Sequence, residues 1–229
     1  MEKVMKQSYC SSYIERATIY SLLKVGFEGP ITIDSLKLWK DSFSPEFIEV
    51  LLDQNEYLAD FFEDIKTTNL ETIEKRERAA YLATFNLLNQ EGKVPAPPWE
   101  SVYVTQDQTL FGKPVFQLRT QFDHFGLSFI DKNSNPEDHI AVELEFMCYL
   151  IDYTWEAYIS GDESAYTKGI YTQYWLHKEH FQHWIHSFTN HIRLSETSRF
   201  YKGLAELLRV FLSEDFEYIN LLKEELDHE

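Results

Sequence analysis

The sequence predicts an all-α fold, a single helical-bundle domain of about nine to eleven helices over residues 1–229. Three observations carry that reading. Apolar residues recur at three- and four-residue spacings along most of the chain, and no segment shows the strict alternation of a half-buried strand. The composition, 44% hydrophobic with 17 Phe, 14 Tyr and 5 Trp, supplies a substantial core. No internal repeat or low-complexity stretch interrupts the pattern.

The elements follow in order. Ile14, Ala17, Ile19, Leu22 and Leu23 predict a first helix, stopped by Gly26 and Gly29-Pro30. Thr32 to Trp39 reads as a short helix. Pro45 to Gln54 reads as another, with Ser44 as N-cap and Pro45 at the first helical position. Glu56 to Lys66 places Leu58, Phe61, Phe62 and Ile65 on one buried face. Leu70 to Asn89 reads as a long amphipathic helix through Ile73, Ala80, Leu82, Phe85 and Leu88. Gln90 to Ser101 interrupts the pattern, because proline lacks an N–H and pushes its predecessor into extended geometry. Helical spacing resumes over Gln108 to Phe122 and breaks again over Leu127 to Asn135. Further helices are expected at 136–159, 164–191, 197–212 and 214–226. The pattern accommodates an N-terminal half, 1–126, a hinge at 127–135 that allows domain swapping, and a C-terminal half, 136–229.

The start near residue 136 is well signalled. Asn135 serves as N-cap, Pro136 takes the first helical position, and Glu137 and Asp138 complement the helix dipole. Ile140, Leu144, Met147 and Ile151 then form a core face. His139, Glu143, Phe146 and Leu150 share a neighbouring face about 100° round.

Charge narrows the partners. With 38 acidic against 21 basic residues, the net charge of −17 repels nucleic acid and anionic membrane surfaces and draws in a basic partner. Cys10 and Cys148 lie far apart without a CxxC pattern, which fits a reducing compartment. The opening MEKVMKQSYCSSY has no apolar h-region, and no 18-residue apolar window exists, so a cytoplasmic protein is expected.

Catalytic signals are weak. There is no GxSxG, no Walker loop and no HExxH. His177, His180, His183 and His186 recur every third residue, which walks backwards by roughly 60° per step on a helix. The four cannot share one metal, although a neighbouring pair could supply two ligands. They read as surface or boundary histidines beside a buried stripe of Phe181, Trp184, Ile185 and Phe188. His139 with Glu143 and Asp138 could form an acid–base or metal site, and equally a solvated helix start. Trp99 in "PAPPWESVY" reads either as a lid packed on the core or as an exposed binding residue.

Taken together, "PPWESVY", "TLFGKPV", "NPEDHIAVELEFM", "HFQHWIHSF" and "RFYKGLAELLRVFL" make the chain resemble the TorD/DmsD/NarJ-type family. Members are cytoplasmic chaperones dedicated to molybdenum-cofactor oxidoreductases. The resemblance covers roughly Ala79 to Asp215 and rests on four motifs in order within these stretches. They are the proline–aromatic–x–Ser turn, the P-x-D-H helix start, the late histidine–tryptophan stretch and the Phe-Tyr-x-x-Leu-Ala run from Phe200 to Ala205. It departs at "FNLLNQEGKVPAPP", where many relatives carry a glycine-proline turn and a further aromatic.

The resemblance implies an all-helical fold, no catalysis and no cofactor. It also implies binding of the twin-arginine signal peptide, or the immature body, of a partner molybdoenzyme until the cofactor is inserted. On that reading Trp99, Tyr103 and Phe111 contact the apolar segment or an arginine stem. Glu100, Asp138 and Glu143 meet the guanidinium groups, and Ser101 and His139 add hydrogen bonds. The site would form where the proline turn faces the Asp138-His139 helix start. Monomer and domain-swapped dimer both fit. The alternative function is a metal-dependent helical hydrolase using His139, Glu143 and a late histidine.

Overall fold

The structure is a computed structural model and describes residues 2–42, 55–107, 110–128 and 136–228. The helix expected over Pro45–Gln54, with its Ser44 cap, lies outside the described residues, as does Asn135. Among the described residues the architecture is all-helical, with one isolated backbone bridge and no strand. The helices are α1 (Glu2–Glu28), α2 (Ile33–Ser42), α3 (Glu56–Thr67), α4 (Leu70–Phe85), α5 (Glu100–Val104), α6 (Lys113–His124), α7 (Ile140–Ser160), α8 (Glu163–Leu176), a π turn (His177–Phe181), α9 (Gln182–Leu194) and α10 (Arg199–His228).

The chain forms two compact units that interleave along the sequence. One comprises 1–24, 99–184 and 211–229; the other comprises 25–98 and 185–210. These boundaries follow a different line from halves divided at 127–135.

The second unit is an aromatic core. Phe27, Trp39, Phe61, Phe85, Phe188, Phe200 and Tyr201 are all buried. Phe61 and Phe200 have ring centroids 4.2 Å apart, and Phe85 meets Tyr201 edge-on at 5.3 Å. Gly26 does not end α1, contrary to the sequence expectation. A Cβ there would lie 2.4 Å from Leu204 Cδ1, so this glycine permits close approach of a neighbouring helix. α4 ends at Phe85 rather than Asn89 because the N–H groups of Asn86 and Leu87 both return to the Leu82 carbonyl. Its buried face is therefore Ile73, Glu77, Tyr81, Thr84 and Phe85, while Leu88 is exposed.

In the first unit α7 packs extensively on α8. Gly169 allows their approach, since a Cβ would fall 2.2 Å from Thr154 Oγ1. Ile140, Leu144, Met147 and Ile151 are buried as expected, and so are His139, Glu143, Phe146 and Leu150. The expected helices at 197–212 and 214–226 are one continuous helix, α10. Within it Asp215 is buried and bonds Arg16, Tyr20 and His177. Burial alone would raise the Asp215 carboxyl, but Arg16 and His177 outweigh it and hold it well below the usual range. Cys148 is a free thiol pushed up to about 11 by burial.

Candidate peptide-binding site

The prolines of PAPPWESVY deliver Trp99 in extended geometry as the N-cap of α5, at φ −120° and ψ 130°. Extended backbone exposes ladder groups, and Trp99 forms the isolated antiparallel bridge with His139. Their rings meet edge-on at 5.4 Å. Glu100 N–H donates to the Asp138 carbonyl at 3.0 Å, and Ser101 N–H donates to Asp138 Oδ2 at 2.7 Å. Asp138 thus caps α5 from 37 residues away.

The same junction starts α7. The helix begins at Ile140, not at Pro136, because His139 is its N-cap and accepts the Ala141 N–H at Nδ1, 3.1 Å away. Accepting that bond requires a neutral imidazole, and burial holds His139 down at about 4.

A second tie runs from Ser101. Its Oγ accepts the Gly112 N–H at 3.1 Å. Gly112 has no room for a side chain, since a Cβ would lie 2.7 Å from Thr105 Cγ2. α6 starts at Lys113, directly after Gly112, with Pro114 in its first turn. Phe111, just before, sits at φ 63° and is 47% exposed. A bulky residue in the left-handed region is strained, and such strain concentrates at ligand clamps. Leu110, Val104 and Phe116 are exposed on the same two segments. Tyr103 is half-buried against Trp184, with ring centroids 5.4 Å apart, and burial pushes its hydroxyl far up.

Beneath this surface lies a buried cluster. Glu100 Oε2 is 2.6 Å from His180 Nδ1, and Trp184 Nε1–H donates to Glu143 Oε2 at 3.3 Å. Burial, then the charges of Glu100 and Asp138, push the Glu143 carboxyl well above its usual range. Burial also raises Asp138, against the Ser101 hydrogen bonds that lower it. Glu137 is paired with Arg119 at 2.7 Å. Glu100, Glu143 and His180 each offer a ligand atom within 4.8 Å of the others, so among the described residues they form a group able to hold a metal.

The structure therefore brings the proline turn and the Asp138-His139 helix start together, and ties Phe111 to them through Ser101. It turns Glu100, Asp138 and Glu143 inward, at 2%, 0% and 0% exposure, rather than presenting them as surface contacts for guanidinium groups. The hydrolase trio is not assembled either. Glu143 and His180 meet, but the Nδ1 of His139 is committed to capping.

His177 and His180 are buried, contrary to the expectation of surface or boundary histidines, whereas His183 and His186 are exposed. The π turn directs the two buried rings to different carboxylates, Asp215 and Glu100. Sequence reasoning overlooked His180 although a signal existed. His180, Trp184 and Phe188 are spaced by four, so the buried stripe continues through the histidine.

Comparisons with known proteins agree with this architecture. A DmsD-type Tat proofreading chaperone of Haemophilus influenzae is 30% identical over 50% of this chain and 49% of its own length. The chain thus spans about half of that relative. A TorD chaperone protein of Aliivibrio salmonicida is 24% identical over 90% of this chain and 94% of its own. These relatives are named as chaperones, not enzymes. The crystal structure of a redox enzyme maturation protein from Archaeoglobus fulgidus shares the fold, with TM-score 0.50, 19% identity, and coverage of 86% and 93%. The model of the nitrate reductase delta subunit family matches residues 49–190, and the chain belongs to that family, whose TorD and DmsD branches its motifs resemble.

Proposed function

We propose that this chain is a cytoplasmic, system-specific chaperone for a molybdenum-cofactor oxidoreductase. It binds the twin-arginine signal peptide, the immature enzyme body, or both, and holds the client until its cofactor is inserted. The observation that carries this reading is the junction of two distant motifs, with Trp99 bridged to His139 and the strained Phe111 exposed beside it. A twin-arginine leader has a basic start and an apolar stretch. The chain's net charge of −17 attracts the first, and exposed aromatic and aliphatic groups suit the second.

In this reading Trp99, Tyr103 and Phe111 touch the peptide. Ser101, Asp138 and His139 fix the backbone that presents them, and the deeper Glu100 and Glu143 fix the helices underneath. The test is calorimetric titration with leader peptides of molybdoenzymes from the same genome, beside a control with Lys-Lys in place of Arg-Arg. Lysine keeps the charge and loses the bidentate guanidinium geometry. The reading expects tighter binding of the Arg-Arg peptide; equal affinity for both would remove the twin-arginine assignment.

A further inference from the structure

On the proposed reading the floor of the candidate site does not touch the peptide. Glu100 on α5, Glu143 on α7 and His180 on the π turn belong to three separate elements, and all three are fully buried. Their hydrogen bonding is incomplete. Glu143 and Glu100 bond side chain to side chain, but His180 Nε2 has no partner, and neither has Asp138 Oδ1. Among the described residues no lysine or arginine forms an ion pair with Glu100 or Glu143, since Arg119 is engaged by Glu137. Buried carboxylates and imidazoles with unmet bonding capacity are costly unless something further enters the site.

Two carboxylates and one imidazole converging from separate elements are a donor set for a borderline divalent ion. Ligand atoms within 4.8 Å of one another are brought onto a common ion, at about 2.0–2.2 Å each, by small side-chain rotations. Cross-linking three elements is also what a structural metal does, because ligands assembled only on folding turn binding energy into folding energy.

We propose that Glu100, Glu143 and His180 form a structural site for one divalent transition-metal ion, zinc by preference, that pins α5 and α7 to the π turn. Complete burial leaves no path for a substrate, so the ion is not catalytic, and it enters while the chain folds.

The test uses full-length protein with no affinity histidines, unfolded in guanidinium chloride with chelator. It is refolded with and without Zn²⁺, and metal content is read by mass spectrometry. About one zinc per chain and a melting temperature raised by several degrees are expected. Glu143→Gln should lose at least about ten-fold in zinc affinity, since losing even a residue that only supports a ligand costs about that much. A His183→Ala, His186→Ala variant, lacking two exposed histidines, should bind as the parent does. X-ray absorption of the parent protein provides a reading that needs no variant, and a shell of oxygens with a single imidazole is expected. Refolded parent protein without zinc, a multi-histidine shell, or zinc that follows His183 and His186 would each overturn the proposal.

Discussion

Asp138 holds two consecutive N–H groups of the α5 start, accepting Ser101 N–H at Oδ2 over 2.7 Å and Glu100 N–H at its carbonyl over 3.0 Å. Only the first bond depends on the side chain. Asp138→Ala leaves the Ser101 N–H buried without an acceptor, which costs about 1–3 kcal/mol. Asp138→Asn keeps an acceptor oxygen and should cost less. Denaturant unfolding of both variants checks the order; equal stability of Asp138→Ala and the parent would remove Asp138 as the link between the motifs.

Phe111 at φ 63° should show opposite effects on stability and binding. Phe111→Gly relieves the left-handed strain and is expected to stabilise the fold by about 1 kcal/mol. The same change removes an exposed aromatic and should weaken leader binding. Melting and titration on one preparation check both, and a destabilised variant would show that the ring packs for structure.

Gly169 poses two effects of opposite sign. Alanine at a helix interior is favoured over glycine by about 1 kcal/mol on propensity alone. Against that, the new methyl would meet Thr154 Oγ1 at 2.2 Å and Cβ at 3.1 Å, while that hydroxyl already bonds Leu150 O and Gln173 Nε2. Overpacking of this kind costs about 1–3 kcal/mol, so Gly169→Ala should destabilise on balance. A raised melting temperature would show that Thr154 rotates away freely.

Asp215 governs the acid limb of stability. Its folded carboxyl is held well below the unfolded value of about 3.9, so its contribution is fully present above that pH. The contribution falls away as pH drops through and below about 4. Asp215→Ala leaves Arg16 buried without its counter-charge and should cost about 3–5 kcal/mol near neutrality. Unfolding between pH 2 and pH 7 should show a shallower acid slope in Asp215→Asn than in the parent. An unchanged slope would contradict the assignment.

Most of the helical architecture was legible, because spacings such as Leu58, Phe61, Phe62 and Ile65 record burial directly. Misplaced ends had local causes that spacing does not encode. Gly26 marks a helix contact rather than a stop, and His139 displaces Pro136 as the start of α7. The two motifs of the candidate site were visible, yet the direction of their side chains was not. Glu100 looks like a surface residue until it is placed 2.6 Å from His180, 80 positions away in sequence. Pairing across such separations is a property of the folded chain, and periodicity carries no trace of it.

The most direct test of the central claim is titration of a twin-arginine leader peptide into the parent and into a Trp99→Ala, Phe111→Gly variant shown by circular dichroism to be folded. Binding by the parent that falls at least about ten-fold in the variant is the expected result, a loss of about 1.4 kcal/mol or more. Equal affinity in the two proteins would contradict the placement of the peptide on this surface.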